Sequence, residues 1–239
     1  MKAISILNQK GGCGKTSLSV LTSLALASSG KKVLAVDCDP QGGLSAFLTG
    51  TNDETPGLFD LLTGIKKIEE VIISVSRDNI SFDLIRADYR LDSIASNADP
   101  YSMKRQFKSI EQYDFILFDN PPTVQGISRA TSLFADEVFI PADVSMATLG
   151  PTLYTINALK DIEKKGKVVL VGYKEPKEEA SGYMAEISRK FMEAINGYFA
   201  GNIPKTVTTA RAISDPTIKW SDTKVDKLLS PILEILGVN

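Results

Sequence analysis

The chain has 239 residues, 43% apolar and 23% charged, with a formal net charge of −2. That balance suits a globular protein with a large core and supplies no global pull toward nucleic acid or anionic membrane, so any such binding must come from a local patch. With no histidine, and with Cys13 and Cys38 as its two cysteines in no C-x-x-C pair, a structural zinc site is disfavoured. No apolar run reaches transmembrane length, and the first residues enter a strand rather than a signal peptide, which predicts a cytoplasmic protein.

The first apolar run, residues 3–7, leads into Asn8-Gln9-Lys10-Gly11-Gly12-Cys13-Gly14-Lys15-Thr16-Ser17. A segment of helical periodicity follows, carried by Leu18, Leu21, Leu24 and Ala25. Strand, glycine-rich turn and helix is an arrangement that cradles phosphate, because backbone N–H groups converge there with the positive end of the helix dipole. The pattern G-x-x-x-x-G-K-[ST] is met except at its first glycine, where Gln9 stands. Three glycines framed by Lys10 and Lys15 fill the turn instead, and an ordinary strand-to-helix turn does not account for them.

Further apolar runs at 33–36, 82–85, 115–118, 138–140 and 168–171 predict strands. Several are apolar throughout, as in strands buried on both faces of a parallel sheet. Helix-length segments separate most of them. The alternation predicts an α/β fold with a doubly wound, mostly parallel sheet flanked by helices, in one domain over residues 1–239. In such a sheet, ligands bind beyond the carboxyl ends of the strands. Three runs end there in acidic residues: Asp37-Cys38-Asp39-Pro40-Gln41-Gly42-Gly43, Asp119-Asn120-Pro121-Pro122, and Pro141-Ala142-Asp143. Around one phosphate loop, such acids point to a magnesium and nucleotide site. Residues 49–77, with Gly50, Pro56, Gly57 and Gly64, read as a peripheral excursion with a helical stretch near 57–63. Residues 99–108 read as a surface helix and 174–179 as a charged loop. Residues 222–236 predict a closing helix with Leu228, Leu229, Ile232, Leu233 and Leu236 on one face.

The chemistry of the loop assigns roles. Lys15 reaches the β- and γ-phosphates, Thr16 offers its hydroxyl to Mg²⁺, and Ser17 is placed to bond the α-phosphate. A magnesium ion between phosphates keeps several waters, and carboxylates orient those waters. Asp119, after four apolar residues, takes this Walker B type role, and Asp39 positions the attacking water. The Gly42-Gly43 and Pro121-Pro122 turns read as switches sensing the γ-phosphate. Lys10 fits the simple loop less well. Beside the plain reading of a solvated lysine stands a sharper one, a charge supplied to the phosphate of a second subunit, like an arginine finger in trans.

Taken together, residues 10–17, 33–42 and 115–122 resemble the deviant-Walker ATPases, the superfamily of ParA and Soj partition proteins, MinD, the nitrogenase iron protein and the Mrp scaffold ATPases. Weaker similarity continues through 82–91 and 202–205. The resemblance implies ATP and Mg²⁺ as ligands and nucleotide contacts from Lys10, Gly11, Gly12, Cys13, Gly14, Lys15, Thr16 and Ser17. It also implies a sandwich homodimer in which Lys10 crosses to the partner's nucleotide. Cys13 and Cys38 sit in the nucleotide motifs, not at cluster positions, which disfavours the iron-protein and Mrp branches. The Asp-Cys-Asp-Pro-Gln-Gly-Gly stretch favours the ParA branch, of the small type without an N-terminal helix-turn-helix domain. Such proteins bind double-stranded DNA without sequence preference, are stimulated by a ParB-type centromere-binding protein, and are nucleoid-associated. Candidate DNA contacts among the basic residues 174–219 are Lys174, Arg189, Lys205, Arg211 and Lys219, and Pro204 is the candidate adenine contact. The alternative is a MinD-like membrane-cycling ATPase. That would need an amphipathic, basic-flanked tail, whereas the tail here carries Pro231 and Glu234, so packing on the core is expected and no stable membrane association.

Overall fold

A computed structural model describes residues 1–51, 54–107, 110–175, 181–203, 219, 220 and 223–238. The apolar runs become strands β1 (Lys2–Ile6), β2 (Val33–Asp37), β4 (Ile80–Ile85), β5 (Phe115–Asp119), β6 (Glu137–Ala142) and β7 (Gly166–Val171). Two strands went unpredicted, β3 (Ile72–Arg77) and β8 (Phe199–Ile203). Among the described residues the sheet has eight strands in the order β3-β4-β2-β5-β1-β6-β7-β8. Neighbours pair in parallel except β3, which runs antiparallel to β4. The chain builds one half of the sheet on each side of β1. The crevice beyond the carboxyl end of β1 is therefore the topological switch point where α/β sheets bind ligands.

Every residue of β2 and of β5 is buried, which is why these runs carry no polar alternation. One face of the sheet is covered by α1 (Lys15–Ser28) and α10 (Thr223–Leu236), whose buried residues share one core cluster with β1, β2, β4 and β5. The other face is covered by α3 (Leu58–Leu62), α4 (Ile68–Val71), α6 (Pro100–Phe107) and α7 (Gly126–Phe134). The β6–β7 end packs against α8 (Met146–Lys160) and α9 (Tyr183–Ala194). Each of residues 18–26 of α1 is buried, because the helix lies between the sheet and α10. A helix enclosed on all sides needs no polar face.

The closing helix behaves as expected of a core element. Leu229, Ile232 and Leu236 are buried in the cluster that holds Leu21 and Leu24, Leu233 packs against it partly buried, and Leu228 is buried as well. Its apolar face is thus occupied within the chain. Its approach to β8 depends on Gly201, where an added Cβ would meet Ile235 Cγ1 at 2.6 Å. No helix among the described residues is long and apolar enough to cross a membrane.

The excursion at 49–77 needs correction. Leu58, Leu61, Ile68 and Val71 are buried in the core, and the segment ends in the edge strand β3, so it is part of the packed fold. It is tied down by Arg90, which pairs with Asp88 at 2.7 Å and with Asp60 at 3.0 Å. The opposite face of β3 and β4 receives Trp220, stacked on Phe82 with ring centroids 5.8 Å apart. The Arg77 guanidinium lies 4.7 Å from the Trp220 ring, and the Trp220 amide donates to Asp78 at 2.8 Å.

Candidate nucleotide site

The loop between β1 and α1 occupies the switch-point crevice. Gly14 stands at the head of α1 with φ +99°, a left-handed conformation that costs glycine little, and no side chain caps the helix. The N–H groups of the first turn are left for an anion, and the helix dipole adds to them. Lys15 is buried and donates to the Lys10 carbonyl at 3.1 Å, so its ammonium lies across the loop. The Cys13 thiol donates to the same carbonyl at 3.2 Å, and burial pushes its pKa up, which leaves it an inert thiol rather than a nucleophile. Ser17 is half-buried in the first helical turn, and Gly11 and Gly12 are exposed.

Two carboxylates meet below the loop. Asp37 and Asp119 end the neighbouring strands β2 and β5 in register, and both are fully buried. Asp119 accepts from Thr16 Oγ1 at 2.8 Å and from Ser19 Oγ at 2.8 Å. Asp37 accepts from the amide and hydroxyl of Ser45, at 2.8 and 2.7 Å, and from the Asp39 amide at 3.1 Å. Burial pushes the pKa of both carboxyls up. The charge of Asp119 raises Asp37 further, while Ser19, Thr16 and Lys15 hold Asp119 back. Two buried acids facing one lysine form a pocket short of positive charge. No cluster of three metal-binding side chains occurs among the described residues, so this is not an all-protein metal cage.

It fits a magnesium ion carried in on phosphates, which needs only one or two carboxylates and a hydroxyl. Thr16 spends its proton on Asp119 and so presents a lone pair outward. The next turn lies close by: a Cβ at Gly43 would sit 3.6 Å from Thr16 Oγ1, in ordinary van der Waals contact.

Asp39 lies half-buried above this pocket, its carboxylate accepting from the Gln41 amide at 3.0 Å. With Pro40, Pro121, Pro122 and Thr123 it lines a cavity of about 370 Å³. Of the two turns read as switches, Pro121-Pro122 lines this space, while Gly42-Gly43 follows the residues that do. Asp143, the third acidic strand end, is turned elsewhere: it pairs with Lys10, Nζ to Oδ1 3.7 Å, and accepts from Thr148. The Lys10 ammonium donates to Thr148 Oγ1 at 2.7 Å, so in this structure it rests on its own chain.

Sequence reasoning missed Asp37 as the buried partner of Asp119. The signal was present in the Asp-x-Asp spacing, but the register that turns Asp37 inward is tertiary. Of the candidate DNA contacts, Lys174, Arg189 and Lys219 are exposed. Lys174 and Arg189 follow β7, whereas Lys219 adjoins Trp220 at the β3–β4 edge, so the fold does not gather the three at one sheet edge. Pro204, Lys205 and Arg211 lie outside the described residues.

The family described as AAA domain matches residues 1–170. An uncharacterized protein of Methanocaldococcus jannaschii is 30% identical over 89% of this chain and 88% of its own length. The chromosome-partitioning ATPase Soj of Treponema pallidum is 32% identical over 68% of this chain and 65% of its own. The chain belongs to the ParA/MinD superfamily of P-loop ATPases. The fold agrees along its length: the structure of a Cyanothece McdA–ATP complex, 22% identical, superposes with a TM-score of 0.84 over 100% of this chain and 97% of that one.

Proposed function

We propose that this chain is an ATP-dependent DNA-partition ATPase. ATP binding drives sandwich dimerisation and non-specific DNA binding, and hydrolysis, stimulated by a ParB-type partner, resets the cycle. The observation that carries the reading is the loop between β1 and α1 with Thr16 and Lys15 set against the buried Asp37–Asp119 pair. The loop amides and Lys15 bind the phosphates, with Ser17 near the α-phosphate. Thr16 and Asp119 would hold Mg²⁺, Asp119 through water, and the ion supplies neutralisation of phosphate charge. Asp39 orients the attacking water from the rim, and the Gly42-Gly43 and Pro121-Pro122 turns report the γ-phosphate to the surface. Lys10 belongs to the nucleotide of a second copy.

The packed apolar face of α10 supports partition over a MinD-like membrane cycle, since that face is not available to lipid. The test is ATP turnover of the purified chain alone, with duplex DNA, and with DNA plus its centromere-binding partner. A rise when both are present supports the proposal; turnover indifferent to both sinks it.

A further inference from the structure

Residues 8–10 are not held by the loop alone. Thr148, Thr152 and Thr155, spaced to share one face of α8, are all fully buried beneath them. Thr155 Oγ1 accepts from the Gln9 amide at 3.2 Å, and Asn8 Nδ2 donates to Thr152 Oγ1 at 3.2 Å and to the Pro141 carbonyl at 2.9 Å. Asn8 Oδ1 accepts from the Lys10 amide at 3.0 Å, which aims the Lys10 side chain along the same row. At its end the ammonium meets Thr148 Oγ1 at 2.7 Å and Asp143 Oδ1 at 3.7 Å. Thr148 donates to Asp143 and lies 3.0 Å from Ser145 Oγ, so its free lone pair faces the lysine. Thr152 and Thr155 are therefore polar core positions with partners in the loop, while Asp143 and Thr148 form a seat for a cation.

That seat is built to be left. The Lys10 side chain is 29% exposed and that of Asp143 48%, and an ion pair so open to water is weak and easily screened. The ammonium cannot sit there and on the phosphates of another chain at once. We propose that Asp143 and Thr148 are positioning residues that hold Lys10 in cis on the lone chain, and that release from this seat precedes its service to a nucleotide on a second copy. The trans role rests on the dimer reading proposed above; the cis seat does not.

The test has two arms. In the nucleotide-free protein, reductive methylation of Lys10, read by mass spectrometry against the other lysines, should run severalfold faster in Asp143→Ala and in Thr148→Val, and Thr148→Ser should restore the slow rate. An unchanged Lys10 rate in both variants overturns the seat. Asp143 is half-exposed, so its substitution leaves folding intact even if the buried Thr148→Val does not. In the second arm, sedimentation with Mg-ATP should show Asp143→Ala dimerising at severalfold lower concentration than wild type, with the shift gone in the Lys10→Ala background. Faster labelling with unchanged dimerisation overturns the competition between seat and partner. Absence of an ATP-dependent dimer in every variant overturns the trans role and the dimer reading, while the labelling arm still decides the seat.

Discussion

At the α1 end of the phosphate loop, Thr16, Ser19 and Lys15 close around the fully buried Asp119, whereas at the β1 end Lys10 leans on a half-exposed Asp143. The first region holds charge in a low-dielectric pocket, where an unmatched carboxylate is expensive and its geometry is fixed by hydrogen bonds on both oxygens. The second holds charge at the surface, where contacts are worth little and can be exchanged. The difference separates two jobs on one loop: a fixed receptor for phosphate and magnesium, and a movable cation.

Substitutions at the two ends should therefore differ in kind. Removing the Lys15 ammonium leaves the phosphates without their buried counter-charge. Lys15→Ala should weaken ATP binding by about a hundredfold or more, on the scale of a lost buried charge pair of ~3 kcal/mol, as read by titration calorimetry. Asp39→Ala should keep ATP affinity and lower single-turnover hydrolysis by roughly a hundredfold, the lower end of what a positioned general base contributes, trapping the ATP-bound dimer.

The buried pair adds a pH signature. The pKa of Asp37 and of Asp119 is raised in the folded chain, first by burial. The folded state then holds protons that the unfolded state, titrating near about 4, has given up. This contribution to stability is complete below that pH and is lost as pH rises toward neutrality. Nucleotide-free protein should lose roughly 1–3 kcal/mol from this source between acid and neutral pH, and Asp37→Asn should flatten the slope in urea melts. A slope of the opposite sign in wild type that Asp37→Asn leaves untouched would remove the buried acid pair from the account. Smallest of all, Lys10→Ala should shift unfolding stability by no more than about 0.5 kcal/mol, because its pair is half-exposed.

Much of the site was legible before folding. The glycines and lysines of 10–16 and the acids after 33–36 and 115–118 declare a phosphate loop beside carboxylates by spacing alone, and the apolar runs declare a parallel sheet. What stayed hidden depends on contacts between distant segments. β8 reads Phe199-Ala200-Gly201-Asn202-Ile203, no apolar run, because Gly201 is there to admit Ile235 rather than to fill the sheet. β3 is an edge strand with an exposed Ser74 and Ser76, and its burial comes from β4 on one side only. Thr148, Thr152 and Thr155 look like neutral helix residues until the fold sets them under residues 8–10. Asp37 looks like a second copy of Asp39 until the β2–β5 register turns it inward.

The most direct test of the proposed partition cycle is fluorescence anisotropy of a labelled duplex at low salt with the Asp39→Ala chain, in Mg-ATP and in Mg-ADP. The partition account predicts binding with ATP that ADP does not support and that falls steeply as salt rises, since phosphate contacts release counterions. DNA binding equal in the two nucleotides, or none in either, would contradict it.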